Sequence, residues 1–322
     1  MGLSVTAMLE LLDEDARSFA QALLDGAPPP PYAQYGVDGV RSIFDTGNSA
    51  RPPIRPVHSV EERTMDGPGG PLRMRCYRPS FAAERPAVIY FHGGGFVVGT
   101  LNGVDDVCRS LCVEADCVVI SVDYRRAPEH AFPAAADDCL RTYEWVRREA
   151  LSLGIDPHRI ALAGDSAGGN LALSVCTALA EARRDLPRSL VLAYPPTSNA
   201  HTGPSWEAFE HAPILGKADA LWFWSNYTEG SGADLDPRAV PILSTTLHAL
   251  PPTFLIAAEV DVLRSDYEEF AAMALCAGAE VELRQYDGVP HGFFTEPAAI
   301  GKARRAVTDA ARHLRTHFGP SL

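Results

Sequence analysis

The chain is short of positive charge. Against 41 Asp and Glu it carries 28 Lys and Arg, a formal net charge of −13. A protein that grips nucleic acid needs a basic face to neutralise phosphates, and one that binds an anionic membrane surface needs the same, so neither partner is expected. Cysteine is sparse and odd in number, seven in 322 residues, with no C-x-x-C pair, which excludes a disulfide scaffold. Cys108 and Cys112 lie four apart, a spacing read here as two small apolar residues on one helix face and not as a metal site. Long hydrophobic runs are missing as well. Nothing approaches 18 uninterrupted apolar residues, so no transmembrane helix is expected. The opening MGLSVTAMLELLDEDARSFA has no basic segment and is acidic by Glu10, unlike a secretory leader. Gly2 and Thr6 fit an N-acylation pattern, but no polybasic second anchor follows and the match is read as coincidental. The default is a soluble, cytoplasmic protein with reduced thiols.

With 46% hydrophobic and 21% charged residues the chain is of ordinary globular composition. Its length suits two domains or one large α/β domain with an insertion. From Val5 to Leu24 apolar residues recur every three or four positions, predicting one amphipathic helix. The run Gly26–Pro31 ends it, and a short helix is expected around Val37–Phe44. Short β-rich runs then appear at Val57–Arg63, Leu72–Tyr77, Ala87–Phe91, Cys117–Val122, Arg159–Ala163, Ser189–Ala193, Thr253–Ala257 and Val281–Tyr286. The first two alternate and suit an edge hairpin. The later ones are continuous apolar runs, as in parallel strands covered on both faces. Helical stretches at Gly103–Ala115, Ala134–Leu153, Gly169–Ala182, Arg264–Ala277 and Gly301–Phe318 separate them, which predicts a doubly wound α/β sheet. The interval from Ala193 to Thr253 is far too long for a crossover. It holds Trp206, Phe209, Trp222, Phe223, Trp224 and Tyr227, and is expected to fold over the ligand edge of the sheet together with the N-terminal segment.

In an open parallel sheet, ligands bind beyond the carboxyl ends of the strands. After Arg159–Ala163 comes Gly164-Asp165-Ser166-Ala167-Gly168, a G-x-S-x-G turn between strand and helix that exposes a serine oxygen. A phosphate loop is excluded because Asn170-Leu171 follows Gly169, in place of Lys-Ser/Thr. A serine hydroxyl needs a base. In the fold that carries this turn the order is serine, acid, histidine, leaving His201, His211, His248, His291, His313 and His317. Only His291 follows a strand through a turn. His313 and His317, four apart in the last helix, read as an exposed face. Asp261, just beyond the strand Thr253–Ala257, is the candidate acid, with Glu259 as nearest rival and Asp266 read as a charge at a helix start. The strand Ala87–Phe91 ends in His92-Gly93-Gly94-Gly95-Phe96, where backbone N–H groups can turn to a developing oxyanion together with that of Ala167.

From about residue 72 to 315 the sequence resembles the bacterial hormone-sensitive-lipase-like esterases of the α/β-hydrolase superfamily. The resemblance rests on HGGGF at 92–96, DYRRAPEH at 123–130 (with Arg126 where Leu is usual) and GDSAGGN at 164–170. It rests also on DVLRSD at 261–266 (with Val262 where Pro is usual) and HGF at 291–293. It implies an α/β-hydrolase fold: a mostly parallel eight-stranded sheet flanked by helices, with a helical cap. The cap would comprise residues 1–55 and 199–235, the core residues 56–198 and 236–322. Ser166 would be nucleophile, His291 base then acid, and Asp261 its orienter. Gly94, Gly95 and Ala167 would donate to the oxyanion, with Gly93 as an alternative to Gly95. His92 would be a structural hydrogen-bonder, and Asp123, Tyr124, Arg125 and Glu129 a buried polar network behind the site. Phe96, Trp206, Phe209 and Phe293 are the candidate pocket residues. No metal or organic cofactor is implied. The expected activity is hydrolysis of short- to medium-chain carboxylic esters through an acyl-enzyme. An amidase or carbamate hydrolase would use the same triad. A small-molecule receptor on this scaffold is the alternative of a different class, against which the presence of His291 speaks. The last edge strand, about Val281–Tyr286, is where family members often dimerise, and an exposed edge makes a homodimer physically plausible.

Overall fold

The computed structural model describes residues 2–24, 30–48, 55–82 and 84–319; residues 26–29 of the helix-ending Gly26–Pro31 run lie outside them. One eight-stranded sheet forms the centre. Its strands are β1 (Ser59–Gly67), β2 (Gly70–Arg78), β3 (Arg85–Phe91), β4 (Val118–Val122), β5 (Ile155–Asp165), β6 (Leu190–Ala193), β7 (Thr253–Val260) and β8 (Val281–Pro290). They lie in the order β1-β2-β4-β3-β5-β6-β7-β8. The first two make the edge hairpin, with Gly67 opposite Gly70, and β2 runs antiparallel to β4. All pairings from β4 to β8 are parallel.

The helices are α1 (Val5–Leu11), α2 (Glu14–Leu24), α3 (Gly36–Asn48), α4 (Asp105–Ala115), α5 (Ala134–Arg148), α6 (Ala167–Glu181), α7 (Pro204–Ala208), α8 (Lys217–Thr228), α9 (Arg264–Cys276) and α10 (Gly301–Phe318). Every residue of β4 and β6 is buried. Strands without a solvent face require helices on both sides; α4 packs on α10 and α5 on α6 to supply such layers. Cys108 and Cys112 are buried in α4 as apolar side chains.

Two expectations are corrected here. The N-terminal helix is not continuous: it breaks at Leu12, whose backbone is extended. The next residue, Asp13, donates its N–H to Gly288 O (2.9 Å) and pairs its carboxylate with Lys302 (2.6 Å). Docking against the end of β8 overrides a helical periodicity that is unbroken in the sequence. His313 does not face solvent. Its ring stacks on Phe254, its Nε2 lies 3.3 Å from Pro252 O, and burial lowers its pKa to about 4.

The N-terminal segment and the long β6–β7 interval clasp one another. Asp219 in α8 accepts the Tyr32 N–H at 2.8 Å, and the Tyr32 ring meets Phe44, Trp222 and Phe223 edge-on. Arg41 ties α3 to the core: Nε donates to Val97 O (3.0 Å), Nη2 to Ala127 O (2.9 Å), and the guanidinium grips Glu129 with both nitrogens (2.6 and 2.7 Å).

Candidate active site

Strand β5 ends at Asp165 and α6 begins at Ala167, so Ser166 alone makes the turn. Its φ of 51° and ψ of −122° lie in a region that side chains other than glycine rarely adopt. The turn is also too tight for side chains around it. A Cβ on Gly164 would sit 2.4 Å from the Gly168 carbonyl carbon, and one on Gly168 would sit 1.9 Å from Phe91 O. The Ser166 N–H donates to Ala193 O at 2.8 Å, anchoring the strained residue to β6.

His291 follows β8 directly, and its backbone N–H donates to Val260 O (3.2 Å). Glu259, the rival acid, instead accepts the Gly288 N–H (2.6 Å) and so fixes the turn before His291. His291 Nε2 lies 3.0 Å from Ser166 Oγ and Nδ1 lies 2.8 Å from Asp261 Oδ2. A carboxylate only accepts, which assigns the proton to Nδ1 and leaves Nε2 free to accept from the serine hydroxyl. Asp261 is fully buried; Leu263 N–H (2.9 Å) and Tyr267 OH (3.3 Å) also donate to it and compensate its lost hydration. The Tyr194 ring packs 4.5 Å from the imidazole.

The glycine loop has a definite polarity. A trans peptide directs its C=O and N–H in opposite directions. The Gly93 carbonyl is taken by His92 Nδ1 (2.7 Å) and the Gly94 carbonyl by the N–H groups of Val97 and Val98 (3.0 and 2.9 Å). The N–H groups of Gly94 and Gly95 are therefore turned the other way. Among the described residues they and the Ala167 N–H have no hydrogen-bond partner. Gly93 differs. Its N–H donates to Asp165 Oδ1 (3.0 Å), which also accepts from Tyr90 OH (2.8 Å), so Gly93 is withdrawn as an oxyanion donor. Burial raises the Asp165 pKa to about 6 against the pull of those two bonds. Burial lowers His92 to about 4, keeping its ring neutral while it stacks on Tyr124. Tyr124 OH donates to His92 O (2.7 Å).

The remaining polar residues of the 123–130 stretch do not form one buried network. Asp123 pairs with Arg73, Arg125 with Asp138, and Glu129 is exposed on Arg41. Each of these three finds its own partner from a different element, while Tyr124 braces the loop at His92 and Arg126 holds its far end, Nη1 donating to Gly99 O at 2.8 Å.

Ser166, His291 and Gly93–Gly95 open into a cavity of about 200 Å³. Of the four expected pocket aromatics, Phe96 and Trp206 line it. The other two do not: Phe209 lies beneath the Arg264 guanidinium, and Phe293 is fully buried between Tyr194 and Tyr286. The wall is made in their place by Tyr32 and Phe44 from the N-terminal segment and by Ala220, Phe223 and Trp224 of α8. Those last three stand at i, i+3 and i+4, a facing stripe visible in the sequence once the helix is placed. A Cβ on Gly95, whose φ is +56°, would lie 2.1 Å from the Phe223 ring; glycine there lets α8 close on the loop. Asp266 stands in the first turn of α9, as expected, and is buried there, accepting the Trp206 indole N–H at 2.9 Å. Among the described residues, no group of three or more His, Cys, Asp or Glu is placed to hold a metal ion.

A mostly parallel eight-stranded sheet with such a serine turn at its centre and a histidine after its last strand is the architecture of an α/β-hydrolase. A family profile described as alpha/beta hydrolase fold matches residues 88–295. Carboxylic ester hydrolase LipN of Mycobacterium tuberculosis is 33% identical over 300 residues, covering 88% of this chain and 80% of its own. Carboxylesterase NlhH of the same species is 36% identical over 307 residues, covering 91% and 94%. The solved hyperthermophilic esterase of Pyrobaculum calidifontis superposes with a TM-score of 0.88 at 35% identity, over 98% of this chain and 99% of that one. The chain belongs to the hormone-sensitive-lipase-like carboxylesterase family of the α/β-hydrolase superfamily.

Proposed function

We propose that the protein is a serine carboxylesterase acting on short- to medium-chain esters through an acyl-enzyme on Ser166. The observation that carries this reading is the unbroken chain Ser166 Oγ–His291–Asp261, opening into a cavity beside unpaired backbone N–H groups. Ser166 Oγ attacks the ester carbonyl as His291 Nε2 takes its proton, and Asp261 stabilises the imidazolium. The oxyanion is received by the N–H groups of Gly94, Gly95 and Ala167. His291 then protonates the leaving alcohol, and water repeats the sequence on the acyl-enzyme. Residues 1–55 and 199–235 act as the cap, whose bulky aromatics bound the substrate. A cavity of about 200 Å³ is small beside sites for drug-sized ligands, which supports short acyl groups.

The free state of all seven thiols supports a cytoplasmic location, and among the described residues no helix is long and apolar enough to cross a membrane. The open edge of β8 is the surface on which a second copy pairs.

The test is hydrolysis of p-nitrophenyl esters from acetate to palmitate, wild type beside Ser166→Ala. Turnover should peak at short chains and fall by several orders of magnitude in the variant, because the triad acts as a unit. Near-normal turnover in Ser166→Ala would overturn the assignment.

A further inference from the structure

Between β6 and α7 the chain places His201 on the wall of the same cavity as Ser166 and His291. Its φ is +52°, an uncommon conformation for a residue with a Cβ. The ring stands edge-on to two cavity aromatics, 5.2 Å from Trp206 and 5.9 Å from Trp224. Among the described residues neither ring nitrogen has a hydrogen-bond partner. Burial lowers its pKa, with Lys217 acting in the same direction and Asp234 against both. The shift favours the neutral imidazole, which carries one N–H donor and one acceptor nitrogen, on a wall it shares with Trp206 and Trp224. Packing alone does not require nitrogens there. On this half-buried ring both nitrogens are uncommitted within the described residues and open to pair with a bound molecule.

We propose that His201 is a specificity-determining residue that hydrogen-bonds an oxygen function, hydroxyl or carbonyl, carried by the substrate away from the scissile ester. The preferred substrates are then oxygenated esters and not plain alkyl ones. A site built to pair with a polar group discriminates against the analogue that lacks it, since the site's own group is then left bare. This rests on the esterase reading above and narrows its substrate class.

The experiment compares kcat/KM within two near-isosteric pairs: p-nitrophenyl 4-oxopentanoate against pentanoate, and 2-hydroxyethyl butyrate against propyl butyrate. The first pair probes the acyl side and the second the alcohol side. Wild type should prefer the oxygenated member of one pair by about three- to tenfold, the value of one neutral hydrogen bond. His201→Phe should abolish that preference, lowering kcat/KM on the oxygenated ester more than on the plain one, and His201→Gln, which keeps a donor and an acceptor, should retain part of it. No preference in wild type, a preference unchanged in His201→Phe, or equal losses on both members of a pair would each overturn the proposal. Failure of the esterase reading itself would show differently, as absence of wild-type turnover on the plain esters.

Discussion

Asp261 and Asp266 stand five positions apart after β7, and their surroundings differ sharply. Asp261 has the imidazole, a backbone N–H and a tyrosine hydroxyl around it. Asp266 has the Trp206 indole on one oxygen, while its buried Oδ2 has no partner among the described residues. Burial raises the Asp266 pKa to about 7, opposed by the indole N–H and reinforced by the charge of Asp261. The folded state therefore holds this proton more tightly than the unfolded chain. Stability from that preference is complete below the unfolded carboxyl pKa and is lost as pH rises towards 7. Asp266→Asn removes the titration and keeps an acceptor for Trp206. Its stability relative to wild type should improve between pH 4 and pH 8, by roughly 4 kcal/mol at the upper limit. Urea unfolding of both proteins across that range measures it, and parallel profiles would refute it. Asp266 is legible in the sequence as the first-turn acid of a helix. Its burial is not, because that depends on α7 coming to lie against α9.

At the scale of elements, the sheet is readable because every strand carries its own evidence, an alternating run in the edge hairpin and a short apolar run bounded by turn residues in the strands that follow. The serine turn is read from a strand end, and the acid and histidine from later strand ends taken in the order that fold imposes. What cannot be read depends on contacts between distant segments. The break at Leu12–Asp13 is imposed by β8, and the pocket aromatics of α8 are selected by which helix face meets Gly95. Arg41 is the clearest instance. Nothing local marks it, yet it fastens α3 to Val97, Ala127 and Glu129, immediately beside the glycine loop. Phe44, three residues on, lines the cavity. Bidentate arginine pairs of this kind confer geometry as much as energy. Arg41→Ala should raise KM several-fold with kcat little changed, since the triad is built entirely on the sheet. It should also speed proteolytic cleavage in the N-terminal segment. Equal KM and unchanged cleavage would mean that the clasp of Tyr32 on α8 and the docking of Asp13 on β8 seat this segment without Arg41.

For the molecule as a whole, the sheet has two edges of different character. The β1 edge alternates and is rich in charge, as edges that avoid pairing are. The β8 edge carries exposed Leu283 between Glu282 and Arg284. Two copies of β8 running antiparallel about Leu283 would bring Glu282 opposite the partner subunit's Arg284, twice over, on one face. Opposite charges directly across a strand pair stabilise it, and like charges do the reverse. Each chain bears a net charge of −13, so long-range repulsion opposes association at low salt and is screened at higher ionic strength. The pairing predicts a dimer in sedimentation at about 0.15 M salt, the physiological ionic strength. Glu282→Lys should weaken it by setting a second cation against the partner subunit's Arg284. Adding Arg284→Glu should restore part of it, because the charges across the strand pair are then exchanged, while the Arg284–Asp309 pair within each chain is lost. A double variant no better than the single one would place the contact elsewhere. The experiment is independent of catalysis, for the cavity and its triad belong to one chain, and turnover per site should stay constant while the dimer comes and goes.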